Sequence, residues 1–182
     1  MSILIGNRVY LREFIFTDWK DVQKYASQAI VCRFQPWGPN NEEQTQAYVN
    51  QILEDSKKAP RTRFVFAIIE QSTGNMIGAG EFNIKSTTNK SGEIAYIVHP
   101  DYWGKGIATE VAKLLVNFGF KEFHLHRIYA TCDPRNIGSA KVLQKVGMTQ
   151  EGKLRGALLI KDGWRDSLIF GILEYEWETM SS

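Results

Sequence analysis

The stretch from residue 92 to residue 132 constrains this chain most, because within it the apolar pattern passes from strand to helix and back to strand. Residues 92–98 are β-prone and run through His99-Pro100-Asp101 into Tyr102-Trp103-Gly104-Lys105-Gly106-Ile107-Ala108-Thr109. From Ile107 the apolar positions Val111, Leu114, Leu115 and Phe118 recur at helical spacing, and residues 127–132 read as the next strand. A strand, a crossover helix and a neighbouring or nearby strand form a βαβ unit, which needs a sheet with a helix on its face. Gly104 and Gly106 allow the backbone to turn sharply and to approach a ligand without a Cβ in the way. The first free N–H groups of the helix point to the same place, and with the helix dipole and Lys105 they make a cradle for an anion.

The details of the loop exclude the commonest phosphate binders. A dinucleotide fingerprint requires a third glycine where Thr109 stands, and an ATP-type loop requires Gly-Lys-Ser/Thr after four intervening residues; neither is present. The remaining chain supplies the other layers of the fold. Ile3, Ile5, Val9 and Leu11 alternate over residues 3–12, with a turn or bulge at Gly6-Asn7. Thr17-Asp18 caps a helix whose apolar stripe is Trp19, Val22, Tyr25, Ala26 and Ala29, and Asn41 opens a second with Ala47, Tyr48, Ile52 and Leu53 on one face. Strands over 64–69 and 76–84 are joined by Ser72-Thr73-Gly74-Asn75, a hairpin turn. Asn136 caps a helix that ends at Gly147, and strands over 149–154 and 166–173 follow. These elements predict an α/β fold of the α+β kind: a mixed, mostly antiparallel twisted sheet of six to seven strands with helices on both faces.

A length of 182 residues fits a single domain spanning 1–182. With 43% hydrophobic and 23% charged residues, the chain has enough apolar material for a packed core. The net charge of +2 comes from scattered residues without a basic run, which argues against nucleic-acid binding. No apolar run reaches membrane-spanning length and the N-terminus lacks a secretory pattern, so the expectation is a cytoplasmic protein without a membrane partner. Cys32 and Cys132 form no ligand cluster, and His99, His124 and His126 lack zinc-site spacing, so no metal is expected. The sequence is compatible with a monomer or a homodimer.

Trp103-Gly104-Lys105-Gly106-Ile107-Ala108 resembles the Q/R-x-x-G-x-G/A motif of the GCN5-related N-acetyltransferases (GNAT). Asn136-x-x-Ser139 with Lys145-Val146-Gly147-Met148 resembles that family's N-x-x-S followed by K-x-G-F. Val9-Tyr10-Leu11-Arg12 and Gly163-Trp164-Arg165-Asp166 are similar to the branch of ribosomal-protein N-terminal alanine and serine acetyltransferases, so the likeness spans nearly the whole chain. The resemblance implies acetyl-CoA as co-substrate. It implies that the amides of Gly104, Lys105, Gly106, Ile107, Ala108 and Thr109 hold the pyrophosphate, that Ile97 and Val98 pair with the pantetheine arm where the strand splays from its neighbour, and that Asn136 hydrogen-bonds the arm. Trp103 stands in place of the family's Gln or Arg, and either covers the phosphates or packs on the sheet.

Acetyl transfer to an amine needs an unprotonated amine, an oxyanion stabiliser and help for the departing thiolate. The oxyanion candidates are the backbone N–H groups of Ile97 and Val98. The tyrosine that many members of the family carry seven residues after the asparagine is Leu143 here, so Ser139 becomes the candidate proton donor. Glu93 leads Glu81 as candidate base, because it lies on the same strand face as Ile97. Phe34 and Trp37 are candidate walls of the acceptor cleft; Cys132 reads as core. A lysine-like or polyamine amine is neutral in only about one molecule in 2,500 at pH 7, an α-amine in roughly one in five to ten. Without a strong base, the leading acceptor is a protein N-terminus, such as that of a ribosomal protein. Aminoglycosides and polyamines remain alternatives, as does an acyl-CoA sensor without catalysis.

Overall fold

The computed structural model describes residues 3 to 181. Its centre is an eight-stranded sheet in the order β1-β2-β3-β4-β5-β6-β8-β7. The strands are β1 (Leu4–Ile5), β2 (Val9–Glu13), β3 (Arg63–Glu70), β4 (Met76–Ser86), β5 (Ser91–Val98), β6 (Arg127–Cys132), β7 (Thr149–Ile160) and β8 (Gly163–Leu173). Every neighbouring pair is antiparallel except β5–β6. The eighth strand arises because the first segment folds back on itself: Gly6 N–H donates to the Val9 carbonyl at 2.9 Å, turning one expected strand into the β1–β2 pair.

The helices are α1 (Trp19–Ala26), α2 (Ala29–Cys32), α3 (Glu42–Ser56), α4 (Ile107–Phe123), α5 (Ile137–Val146) and α6 (Glu174–Ser181). Asn41 caps α3 by accepting from Gln44 N–H at 2.8 Å while the Gln44 side chain accepts from Asn41 N–H, so both orphan donors are satisfied. The first helix is shorter than its periodicity suggests. It ends at Ala26, and Ala29 opens the separate short helix α2 and is exposed, not part of the buried stripe. The β7–β8 hairpin is longer than the sequence pattern shows, since much of β7 faces solvent and carries no buried alternation.

Two apolar clusters lie on opposite faces of the sheet. Phe66 and Ile68 of β3 join Val111, Leu115 and Phe118 of α4 on one face. Val65, Ala67 and Ile69 of the same strand meet Val22 and Tyr25 of α1 and Val49 and Ile52 of α3 on the other. A strand covered on both faces is apolar at consecutive positions, as β3 is. Each fully buried large side chain contributes roughly 1.5–3 kcal/mol of transfer free energy. The first cluster holds α4 against the sheet, and that packing places the loop at its N-terminus.

Candidate functional site

The parallel pair β5–β6 runs through Ser91–Arg127, Gly92–Ile128 and Glu93–Tyr129 and then stops. Beyond it β5 stays paired with β4 as far as Val98, and β6 with β8 as far as Cys132, so the two strands part and leave a gap. The ladder's alternation fixes which groups face that gap. His99 N–H donates to the Ile77 carbonyl at 2.8 Å, towards β4. Two residues back, Ile97 directs its backbone the same way, opposite Ala79. Tyr96 and Val98 therefore present their N–H and C=O groups to the gap. Of the two oxyanion candidates, Val98 has its N–H on the open edge and Ile97 has not.

Trp103 settles between its two expected placements. Its indole N–H donates to the Val98 carbonyl at 2.7 Å, which anchors the loop to the end of β5, while 48% of the residue stays exposed. Gly104 and Gly106 both adopt left-handed conformations, with φ of 74° and 77°. No atom lies within 4 Å of where a Gly104 Cβ would stand, so the loop is open on that side. Glu110 N–H donates to the Gly106 carbonyl at 3.2 Å and begins the helical pattern of α4. The amides of Ile107, Ala108 and Thr109 have no carbonyl one turn back and remain available to an anion. Lys105 lies beside the loop with Nζ 5.2 Å from the Tyr102 ring centre.

Arg8, which no sequence motif marks, belongs to this loop. Its guanidinium donates to the Lys105 carbonyl and pairs with Glu110 at 3.0 Å, and a Gly106 Cβ would come within 3.1 Å of it. Burial pushes the Glu110 carboxyl up, but hydrogen bonds from the Arg8 backbone and side chain and from the Val9 and Asn7 backbones hold it below its ordinary value. Nothing in the sequence signals Arg8, since its role depends on the β1–β2 turn reaching the first turn of α4.

Across the gap stands α5. The Asn136 side-chain oxygen accepts from Ser139 N–H at 3.0 Å and caps the helix, which leaves the amide NH₂ for another acceptor. The Ser139 hydroxyl lies 3.1 Å from the Tyr96 phenol, a neighbour that the sequence did not suggest. Burial pushes the Tyr96 phenol well above the usual tyrosine range, with Ser139 pulling the other way. Burial likewise pushes the Cys132 thiol up, so it is held as a thiol in the core.

The face bearing Ile97 holds the acceptor candidates. Ala95, in the middle of the sheet, is exposed and pairs in register with Glu81, while Glu93 pairs with Asn83 and Tyr129. Arg63 takes both Glu81 carboxylate oxygens, at 2.9 and 3.0 Å, and Asn83 adds a bond at 2.9 Å. Glu93 pairs with Lys85 at 3.1 Å. Trp37 packs against the α1–α3 cluster. Phe34 lies between cations: the guanidiniums of Arg33 and Arg135 sit 5.2 and 5.5 Å from its ring centre, and its carbonyl accepts from Arg165 at 2.6 Å. Arg165 and Arg135 also face the buried Asp133, which accepts no exposure to water beyond 1%. Burial raises the Asp133 carboxyl, yet the Arg135 hydrogen bonds and the charges of both arginines hold it low. Asn136 N–H donates to the Asp133 carbonyl at 2.9 Å, so this cationic cluster joins the Phe34 loop to the cap beside the gap. A cavity of about 430 Å³ opens between that loop and the β7–β8 turn, lined by Arg33, Gln35, Lys161 and Asp162 among others.

A splayed strand pair, an anion cradle at the head of α4 and a hydroxyl across the gap define an acyl-CoA-dependent N-acetyltransferase. The profile of the acetyltransferase (GNAT) domain matches residues 8–149, and the chain belongs to that family. An uncharacterized N-acetyltransferase, YnaD of Bacillus subtilis, is 36% identical over 93% of this chain and 96% of its own length. A GNAT-family acetyltransferase structure from Bacillus anthracis superposes with a TM-score of 0.84 at 32% identity, covering 96% of this chain and 99% of that one. Two Escherichia coli relatives point to different acceptors. Spermidine N(1)-acetyltransferase is 26% identical over 94% of this chain and 89% of its own. The ribosomal protein uS5-alanine N-acetyltransferase is 25% identical over 87% and 84%. Among the described residues no group of His, Cys, Asp and Glu is arranged to hold a metal ion, and no helix is long and apolar enough to cross a membrane.

Proposed function

We propose that residues 1–182 act as one N-acetyltransferase domain that moves acetyl from acetyl-CoA directly to a peptide α-amine, in the manner of the ribosomal-protein enzymes and in the cytoplasm, where ribosomal acceptors and acetyl-CoA meet. The observation that carries the acceptor is the charge around Phe34: Arg33, Arg135 and Arg165 surround it and Lys161 lines the adjoining cavity, an excess of cations over the carboxylates of Asp133 and Asp162. A polyamine with several ammonium groups is repelled by such a wall, whereas a peptide N-terminus brings one cation and a backbone of carbonyl acceptors. Both carboxylates near the exposed Ala95 are already held by cations, which suits an α-amine, whose neutral fraction at pH 7 is roughly one in five to ten, over a polyamine amine that needs a strong base.

In this reading the amides at 104–109 and Arg8 hold the pyrophosphate and Asn136 the pantetheine. The Val98 N–H receives the oxyanion, and Glu93 takes the amine proton through a water. Ser139 assists the thiolate. Glu81 keeps Arg63 in place and takes no part in the proton transfer. The test is a mass-spectrometric acceptor panel of ribosomal-protein N-terminal peptides, spermidine and an aminoglycoside with purified protein and acetyl-CoA. Acetylation confined to peptide α-amines is expected; turnover of spermidine in preference to every peptide would refute the reading. Tight CoA binding with no acetylated product from any acceptor would make the protein a sensor.

A further inference from the structure

The family's usual phenol is missing from α5, where Leu143 is buried at 1% exposure, but a phenol reaches the same region from the sheet. Tyr96 lies on β5, past the last β5–β6 pair and so on the arm that has parted from β6. Its side chain packs on the face covered by α4 and α5 and ends 3.1 Å from Ser139 Oγ. The Ser139 carbonyl lies 3.5 Å away, at the limit of an interaction, so the hydroxyl is the better partner. Ser139 sits in the first turn of α5 with its N–H already given to Asn136, which holds the serine backbone still. A serine hydroxyl rotates freely unless a neighbour decides where its hydrogen goes.

We propose that Tyr96 is a positioning residue for thioester opening: its O–H donates to Ser139 Oγ, which turns the Ser139 hydroxyl hydrogen towards the sulfur of coenzyme A. As the amine nitrogen bonds to the acetyl carbon, the carbon–sulfur bond breaks and its electron pair passes to sulfur. The Ser139 O–H stabilises that thiolate with a charge-assisted hydrogen bond. The thiolate then takes a proton from water, which balances the one the amine passes through a water to Glu93, so serine and tyrosine end the cycle protonated as they began. The burial of Tyr96 keeps its phenol neutral, and thus a donor, at every pH of interest.

The inference rests on the reading of Ser139 given above, and a double-mutant cycle separates the two. Tyr96→Phe, Ser139→Ala and the double variant are compared for kcat, KM for acetyl-CoA, CoA Kd by calorimetry and Tm. The acceptor is the amine returned by the panel or, without one, water in the slow hydrolysis of acetyl-CoA. Tyr96→Phe is expected to lower kcat about three- to ten-fold with CoA Kd changed by less than about two-fold. The double variant should be no slower than Ser139→Ala alone, because the phenol acts only through the serine. Multiplying effects, or a wild-type kcat for Tyr96→Phe, would overturn the role of Tyr96 while leaving Ser139 in place. Full activity of Ser139→Ala would remove both. If Tyr96→Phe lowers Tm, the measurements are repeated well below the transition, and a kcat defect that disappears there counts against the proposal.

Discussion

Replacing Gly106 with alanine tests where the phosphates bind. Gly106 holds φ at 77°, and an L-residue there pays about 1–2 kcal/mol. The new Cβ meets the tip of Arg8 at 3.1 Å, but that side chain is half exposed and can move aside, so the backbone penalty dominates. For a chain of this size each kcal/mol is worth roughly 2–4 °C in Tm, which predicts a fall of about 2–8 °C. The strain is relieved most easily by loosening the first turn of α4, which misaims the amides of Ile107, Ala108 and Thr109. A hydrogen bond to a charged group is worth about 1.5–3 kcal/mol, so losing the aim of one weakens CoA binding at least about ten-fold. Gly74→Ala is the control, since Gly74 has φ of 73°, no atom within 4 Å of its Cβ and a place in the β3–β4 turn. It should lose similar stability and keep its affinity. Differential scanning fluorimetry reads the first quantity and isothermal calorimetry with CoA the second. If Gly106→Ala loses stability as Gly74→Ala does but binds CoA like the wild type, the phosphates lie elsewhere.

Trp103→Phe removes the bond to the Val98 carbonyl; a Tm loss of a few degrees with CoA Kd within about two-fold is expected, and a ten-fold weakening would show the indole lying on the ligand. Glu81→Gln should cost about 1–3 kcal/mol of stability, because Arg63 loses a two-pronged partner, and leave kcat unchanged, whereas Glu93→Gln should lower kcat with a smaller effect on Tm, as Lys85 is 45% exposed; the reverse pattern in steady-state kinetics would exchange their roles. The Asp55 carboxyl is held down to about 2 by the Lys58 hydrogen bond, with burial opposing and Arg63 and Gln51 adding to it. Its stabilising contribution is therefore complete above about pH 4 and lost as the pH falls towards 2. Circular-dichroism melts of Asp55→Asn should show a flatter Tm profile across that window than the wild type, and identical slopes would remove Asp55 from the acid response.

Local signals carried much of the fold into the sequence. The Asn41 and Asn136 caps, the Ser72-Thr73-Gly74-Asn75 turn and the α4 periodicity depend on residues within a few positions of one another, and such signals survive without tertiary context. Long-range events left weaker traces. Ala29 continued the stripe of α1 by spacing, yet the helix stops at Ala26. Gly6-Asn7 marked a turn or bulge, but that the segments on either side of it pair as two strands shows only in the structure, and β7 extends to Ile160 without the alternation that one buried face would impose.

The site divides in the same way. By itself the sequence determined the glycine loop at the head of α4, the family and the acetyl donor, because backbone amides at a helix N-terminus are placed by local geometry alone. Only the tertiary structure decided the rest: that Val98 and not Ile97 faces the gap, that Glu81 is bound to Arg63, that Arg8 reaches the loop, and that the phenol beside Ser139 comes from Tyr96. Strand register and the packing of distant segments set those contacts, and one residue of register exchanges every group on one edge for those on the other.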